Sequence, residues 1–457
     1  MSHRELNDFV ATAAQEHGVP GVCVGILMDG QEHIASHGVT SVDNSLPVDG
    51  VTLFPVASVT KTFTATALMR LAAEGAVDLD APVRRYVPEL VLADETAAER
   101  VTVLNLLNHT AGLEWNLIDN DGDGSLAGFV AKMDGLSLIA RPGERASYSQ
   151  AGYNLAGRVV EKVTGLPFEK AVAQLVLEPA GLSNTFFDEE DAMIRRFAVG
   201  YNRDEDGTLR AARPWRAFAA GERGNNPGGG AVSSVSDLLR WARFHLGAGE
   251  GVLPTEALHR MREQTVELRS SSIGEGIGIC WFLREVDGTG TIGHGGSGNG
   301  QFAELLIVPE RNFAVVALAN VGPDGYTFNQ SVVRWALEHY LGLADRDPEP
   351  VPFDEARARE VTGRYEIDVM DVDIATDGHR LTLEVAIKPE IRAASDVEMP
   401  QDYPPATIGF LPGDGDEYIV TDGGLRGQLG YFSRDEDGTV IGIDLAGRLF
   451  GRARNAS

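Results

Sequence analysis

The sequence predicts an α+β fold in two domains, the second a small antiparallel β-barrel. Three observations carry this reading. Stretches with helical apolar spacing (62–71, 153–163, 237–244) stand beside two strand-like runs, 302–308 and 313–319, joined by the turn Pro309-Glu310-Arg311-Asn312. Residues 344–352 are charged, proline-rich and aperiodic, as a linker is. Beyond them the chain changes to short apolar runs separated by turns, at 363–367, 380–385, 417–420, 427–432 and 439–443. The divisions that follow are a first domain over 1–345, a linker over 346–352 and a barrel over 353–457. At 457 residues the chain is too long for one small domain, and its 43% hydrophobic content can supply packed cores.

The first element with chemical content is Ser58-Val59-Thr60-Lys61, which opens the helical stretch. Phe63, Ala67, Leu71 and Ala72 fall near one face, and Gly75 supplies a stop. Residues three apart on a helix share a face, so the Lys61 amine lies beside the Ser58 hydroxyl. The positive end of the helix dipole and burial both lower the pKa of a lysine there, which makes a neutral amine able to take the serine proton. Taken alone, the segment also reads as a serine N-cap followed by a solvated lysine.

Pro142-Gly143 makes a turn, after which Tyr148-Ser149-Gln150 leads into the helical pattern closed by Gly165. A tyrosine on that loop can present its phenol to a cleft. Between two cations its pKa is expected to fall, which suits it to shuttle a proton between nucleophile and leaving group. A half-buried packing tyrosine is the alternative.

The third segment is Gly293-His294-Gly295-Gly296-Ser297-Gly298-Asn299-Gly300, just before the two strand-like runs. Its glycines let a substrate lie directly against a strand edge. The backbone N–H groups of Ser297 and Ser58 form a candidate two-donor oxyanion hole. A glycine-rich hairpin loop with an incidental histidine is the alternative here.

In this order the three segments resemble the serine β-lactamase and penicillin-recognising superfamily, on the branch of class C β-lactamases, D-aminopeptidases, family VIII esterases and related acyltransferases. Two further stretches fit it, Leu106-Leu107-Asn108-His109-Thr110-Ala111-Gly112-Leu113 and Gly228-Gly229-Gly230-Ala231-Val232-Ser233-Ser234. The family's Y-x-N motif matches Tyr148, with Gln150 in place of asparagine, and its third motif is here His294-Gly295-Gly296 rather than K-T-G. The resemblance implies a β-lactamase/transpeptidase-like α/β (α+β) domain: an antiparallel sheet flanked by helices, with an all-helical subdomain. It also implies a lipocalin-like barrel over 353–457, which some hydrolases and peptide cyclases of the superfamily carry. Ser58 is then the acylated nucleophile, and Lys61 and Tyr148 take its proton. His294 hydrogen-bonds the tyrosine or, when charged, attracts a substrate carboxylate; Gln150, Gly295 and Gly296 hold the substrate.

Composition limits the partners. A net charge of −28 argues against nucleic acid and anionic membranes, and no run is long enough to cross a bilayer. The first residues lack a secretory pattern, which predicts a cytoplasmic protein. Two cysteines, Cys23 and Cys280, make no disulfide framework. Asp119-Asn120-Asp121-Gly122-Asp123-Gly124 opens like a calcium loop, but Val130 stands where the bidentate acid belongs, so a flexible acidic loop is the better reading. Neither an H-E-x-x-H site nor a G-x-S-x-G elbow occurs. The expectation is therefore a serine hydrolase of small esters, amides or peptides, including peptides with D-residues, needing no metal or cofactor. Its alternatives are a transacylase or peptide cyclase using the same acyl-enzyme and, less favoured, a non-catalytic binding module.

Overall fold

The computed structural model describes all residues except 1–2, 118–122, 205, 213–219, 248, 250, 395–401, 403, 414 and 454–457. An N-terminal hairpin, β1 (Gly21–Met28) and β2 (Gln31–Gly38), forms one end of an eight-stranded antiparallel sheet. The other six strands follow much later: β3 (Val266–Glu267), β4 (Gly276–Ile277), β5 (Phe282–Val286), β6 (Thr289–Gly298), β7 (Gln301–Val308) and β8 (Phe313–Ala319). Their spatial order is β2-β1-β8-β7-β6-β5-β4-β3. β1 is zipped to β8 from Val22 opposite Ala319 to Met28 opposite Phe313. The expected runs 302–308 and 313–319 are β7 and β8, and Asn312 closes their turn at φ 45°, a region that asparagine tolerates better than most residues.

Side chains alternate across a strand, and β8 uses both faces: all seven of its residues are buried. Val316 and Leu318 join Phe63, Leu238 and Trp241 on one face, while Val315 and Ala317 join Leu6, Val10 and Phe328 on the other. The second face is covered by α1 (His3–Glu16) and, from the far end of the domain, α5 (Asp324–Ala336). The first face carries α2 (Thr60–Ala73), α3 (Gln150–Thr164) and α4 (Val235–Leu246). α2 is not one-sided as its apolar spacing suggests: eleven of its residues are buried, including four threonines. Their hydroxyls are satisfied at carbonyls or by partners such as the Trp241 indole, which donates to Thr62 Oγ1 at 3.0 Å. α3 begins at the Ser149 cap and ends at Gly165, φ 70°, as expected.

Residues 343–354 connect the domain to a closed barrel of β9 (Gly363–Glu366), β10 (Met370–Thr376), β11 (Leu381–Ile387), β12 (Ala406–Phe410), β13 (Glu417–Val420), β14 (Leu429–Arg434), β15 (Val440–Leu445) and β16 (Arg448–Arg452). Each strand pairs with the next, and β9 closes on β16. The connection is fastened rather than loose: Asp345 pairs with Arg284, and Asp347 with Arg334. The barrel's core is packed with Tyr365, Phe410, Tyr418 and Phe432. It sits on the first domain, where Tyr148 N donates to Gly447 O at 2.7 Å and Arg145 Nη2 to Ser433 Oγ at 2.8 Å. Cys23 and Cys280 are buried free thiols, and no helix among the described residues is long and apolar enough to cross a membrane.

Candidate active site

The site forms where the start of α2, the loop before α3 and the glycine-rich strand β6 converge. Pro55 pairs with Val232 in a short two-stranded sheet, and a 3-10 turn over Ala57–Val59 then feeds into α2. Ala57 is held at φ 44°, a strained value for a residue with a Cβ, so the chain bends sharply at Ser58. Beside it, β6 lies against the turn so closely that a Cβ on Gly296 would fall 2.1 Å from Val56 O and 3.2 Å from Ser58 N. Glycine is the residue that permits this approach.

Lys61 is buried, and its Nζ lies 3.0 Å from Ser58 Oγ, 2.7 Å from Gln150 Oε1 and 2.6 Å from Gly228 O. Burial holds this amine well below its ordinary range. A neutral amine has two N–H groups and a lone pair. The two carbonyl oxygens can only accept, so they take the N–H groups and turn the lone pair toward Ser58, the one partner with a proton to give. The arrangement is that of a base set on a hydroxyl.

Gln150 is accordingly not placed as expected. It does not line the cavity; its amide oxygen orients Lys61, and its Nε2 is tied to Asn225 O at 3.2 Å. The extra methylene relative to asparagine fits because residue 228 is glycine: a Cβ there would sit 2.0 Å from Gln150 Nε2.

Tyr148 corrects a second expectation. Two basic side chains do flank it, the neutral Lys61 amine at 4.8 Å and the Arg448 guanidinium at 4.9 Å from its ring centroid, so only one of them carries charge. Burial outweighs them and the hydrogen bond with Ser58, so the phenol's pKa is raised, not lowered. Tyr148 therefore stays protonated near neutral pH. The His109 ring packs 4.5 Å from that of Tyr148, and its Nδ1 accepts from Ser149 N at 3.1 Å.

His294 is the third correction. It is 1% exposed, and burial above all brings its pKa down to about 3, so it is neutral and cannot attract a carboxylate by charge. Nor does it hydrogen-bond Tyr148: Nδ1 is 2.7 Å from Gly295 O, Nε2 has no partner, and the ring stacks on Phe282 at 4.7 Å. A cation that lines the cavity beside Tyr148 is Arg448, the first residue of β16, with its guanidinium 5.6 Å from the Trp115 ring centroid. Sequence reasoning missed it. A lone arginine 300 residues from Tyr148 carries no motif; the only local signal is the Ala446-Gly447 turn that presents it.

Ser58, Tyr148, His294, Gly295, Gly296, Ser297 and Arg448 line one cavity of about 260 Å³. β5 pairs with β6 only as far as Gly293 opposite Phe282, so residues 294–298 leave a strand edge open to it. Of the acidic stretch Asp119–Gly124, residues 119–122 lie outside the described residues; Asp123 caps the following turn through Ser125. Among the described residues no group of three or more His, Cys, Asp or Glu is placed to hold a metal.

Residues 6–339 match the family model described as Beta-lactamase. Penicillin-binding protein 4 of Amycolatopsis lactamdurans is 30% identical over 365 residues, 77% of this chain and 94% of that one. Among solved structures, SurE with D-Leu superposes at a TM-score of 0.73 with 23% identity, covering 99% of both chains. A class C β-lactamase from Rhodobacter sphaeroides superposes at 0.59 with 23% identity, covering 74% of this chain and 99% of its own. At these identities the two structures speak for the fold alone: the first matches both domains, and the second has the extent of the first domain.

Proposed function

The chain belongs to the β-lactamase family, and from that premise we propose that it is a serine acyl-transfer enzyme acting on small esters, amides or peptides through an acyl-enzyme on Ser58. The observation that carries the reading is the buried Lys61 amine, 3.0 Å from Ser58 Oγ and held by two acceptors so that its lone pair faces the hydroxyl. Lys61 takes the Ser58 proton as Oγ bonds to the substrate carbonyl carbon. The oxyanion accepts from the Ser58 and Ser297 N–H groups. The carbonyl–heteroatom bond then breaks, and the leaving group departs with a proton from Tyr148, which Lys61 replaces. Water, activated through the same pair, releases the acyl group. Gly295 and Gly296 leave the strand edge free for the substrate, while neutral His294 packs the wall behind Tyr148. Replacing Ser58 by alanine is expected to abolish covalent labelling by a fluorophosphonate probe, read by intact-protein mass; full labelling of Ser58→Ala would overturn the assignment.

Transfer of the acyl group to an amine or alcohol is the second reading. It is favoured by Gln428, Ala446 and Arg448, by which the barrel adds to the cavity wall, since each added wall residue leaves less bulk water beside an acyl-enzyme. Product analysis with and without added amine distinguishes the two.

A further inference from the structure

The cavity does not stop at the nucleophile. It passes round the open edge of β6 to the opposite face of the sheet, where Glu304 of β7 and Asn329 and Gln330 of α5 line it. Glu304 stands opposite Gly295 in the ladder, and their side-chain positions share this rear face. A Cβ on Gly295 would lie 3.1 Å from Glu304 Oε2, so the glycine leaves the carboxylate open to the passage. Glu304 receives one long hydrogen bond, from Gln330 Nε2 at 3.3 Å, and has no ion pair among the described residues. Arg284, whose field reaches it, is engaged by Asp345. Asn329 is 1% exposed, and its Oδ1 has no partner; Gln428 Oε1, also on the cavity wall, has none either.

Two of these acceptors are unpartnered and the third is weakly served, although Arg284 also lines the cavity. Buried acceptors cost free energy until a donor reaches them, and a primary ammonium brings three N–H donors and a charge opposite to that of Glu304. The guanidinium of Arg448 stands on the other side of the strand, beside Tyr148, which keeps a cation away from the nucleophile end. Burial raises the Glu304 carboxyl to about 7, so an arriving cation finds a group it can hold ionised.

We infer that the rear of the cavity is an ammonium-binding subsite: Glu304 is the counter-ion and Asn329 Oδ1 a second acceptor for the primary amine of a substrate or acyl acceptor whose other end reaches Ser58. The inference rests on the acyl-transfer reading for that last clause, but not for the binding itself, and the two are tested separately. Hexylammonium and hexanol are titrated by calorimetry into the full-length protein and into Glu304→Gln and Glu304→Asp, each checked for native circular dichroism. Wild type is expected to bind hexylammonium at least about tenfold more tightly than hexanol, Glu304→Gln to lose that preference, and Glu304→Asp to recover part of it. Equal affinities in wild type overturn the inference whether or not the variants fold, as does a Glu304→Gln protein that keeps the preference. Bound hexylammonium is also expected to slow fluorophosphonate labelling of wild-type Ser58; an unchanged rate removes the link between subsite and nucleophile. A wild type that binds hexylammonium but is never labelled sinks the acyl-transfer reading alone.

Discussion

At the scale of single residues, the site depends on which protons burial permits. Lys61 and His294 are both driven toward neutrality, and Tyr148 toward its protonated form, by the same loss of water. The Ser58–Lys61 pair was legible in the sequence because helix geometry fixes residues three apart. The protonation of Tyr148 and His294 was not, since desolvation belongs to the assembled fold. Gln150 makes the point testable. Its oxygen stabilises the ammonium form of Lys61 more than the neutral amine, so Gln150→Leu lowers the lysine pKa further. In the proposed mechanism activity needs the neutral amine and is lost as pH falls through that pKa; the acid limb of kcat/KM is therefore expected to move to lower pH. The plateau is expected to fall about tenfold or more as the lone pair loses its aim, measured as ester hydrolysis across pH. Arg448 gives the second residue-level prediction. Arg448→Met is expected to raise KM roughly 10- to 100-fold for esters bearing a carboxylate, the range of a lost charged hydrogen bond, and to raise it less for neutral esters; equal effects on both would remove its role as the anion contact.

At the scale of elements, β6 is the part on which the site turns. The sequence marked its glycines but left a loop open as an alternative; the structure makes it a strand from Thr289 to Gly298 with one edge unpaired past Gly293. Gly296 faces the Ser58 turn backbone to backbone, and neither side can yield without moving the nucleophile. Gly296→Ala is thus expected to slow Ser58 labelling by about a hundredfold, the order of loss for a displacement near 1 Å, and to lower Tm in a thermal melt. Strands β10, β12 and β16 escaped notice for a different reason. Acidic residues interrupt β10, while β12 and β16 are short, contain glycine and, in β16, carry arginine at both ends, so no local run stands out. Their partners across the barrel make them strands.

At the scale of the whole molecule, the net charge of −28 sets a background against which folding proceeds. Repulsion among like charges destabilises the compact state, and salt screens it. The many exposed ion pairs lose attraction in the same salt, but each is worth only about 0–1 kcal/mol. Raising NaCl from about 20 mM to about 0.5 M, which shortens the screening length severalfold, is therefore expected to raise Tm; a fall would mean that the ion pairs dominate. The two-domain plan was legible from the break at 344–352, whereas the seating of the barrel on the site was not, because nothing in either half announces the other. That seating has a consequence for how the protein can change. Leu445 pairs with Arg448 across a turn of two residues, of which Gly447 fastens Tyr148 and Ala446 lines the cavity. These few positions form an exchangeable cassette: a combinatorial library confined to 446 and 448 would recast what the pocket admits while every residue assigned to bond making stayed in place, and a lineage with such a loop can explore new substrates without rebuilding its chemistry.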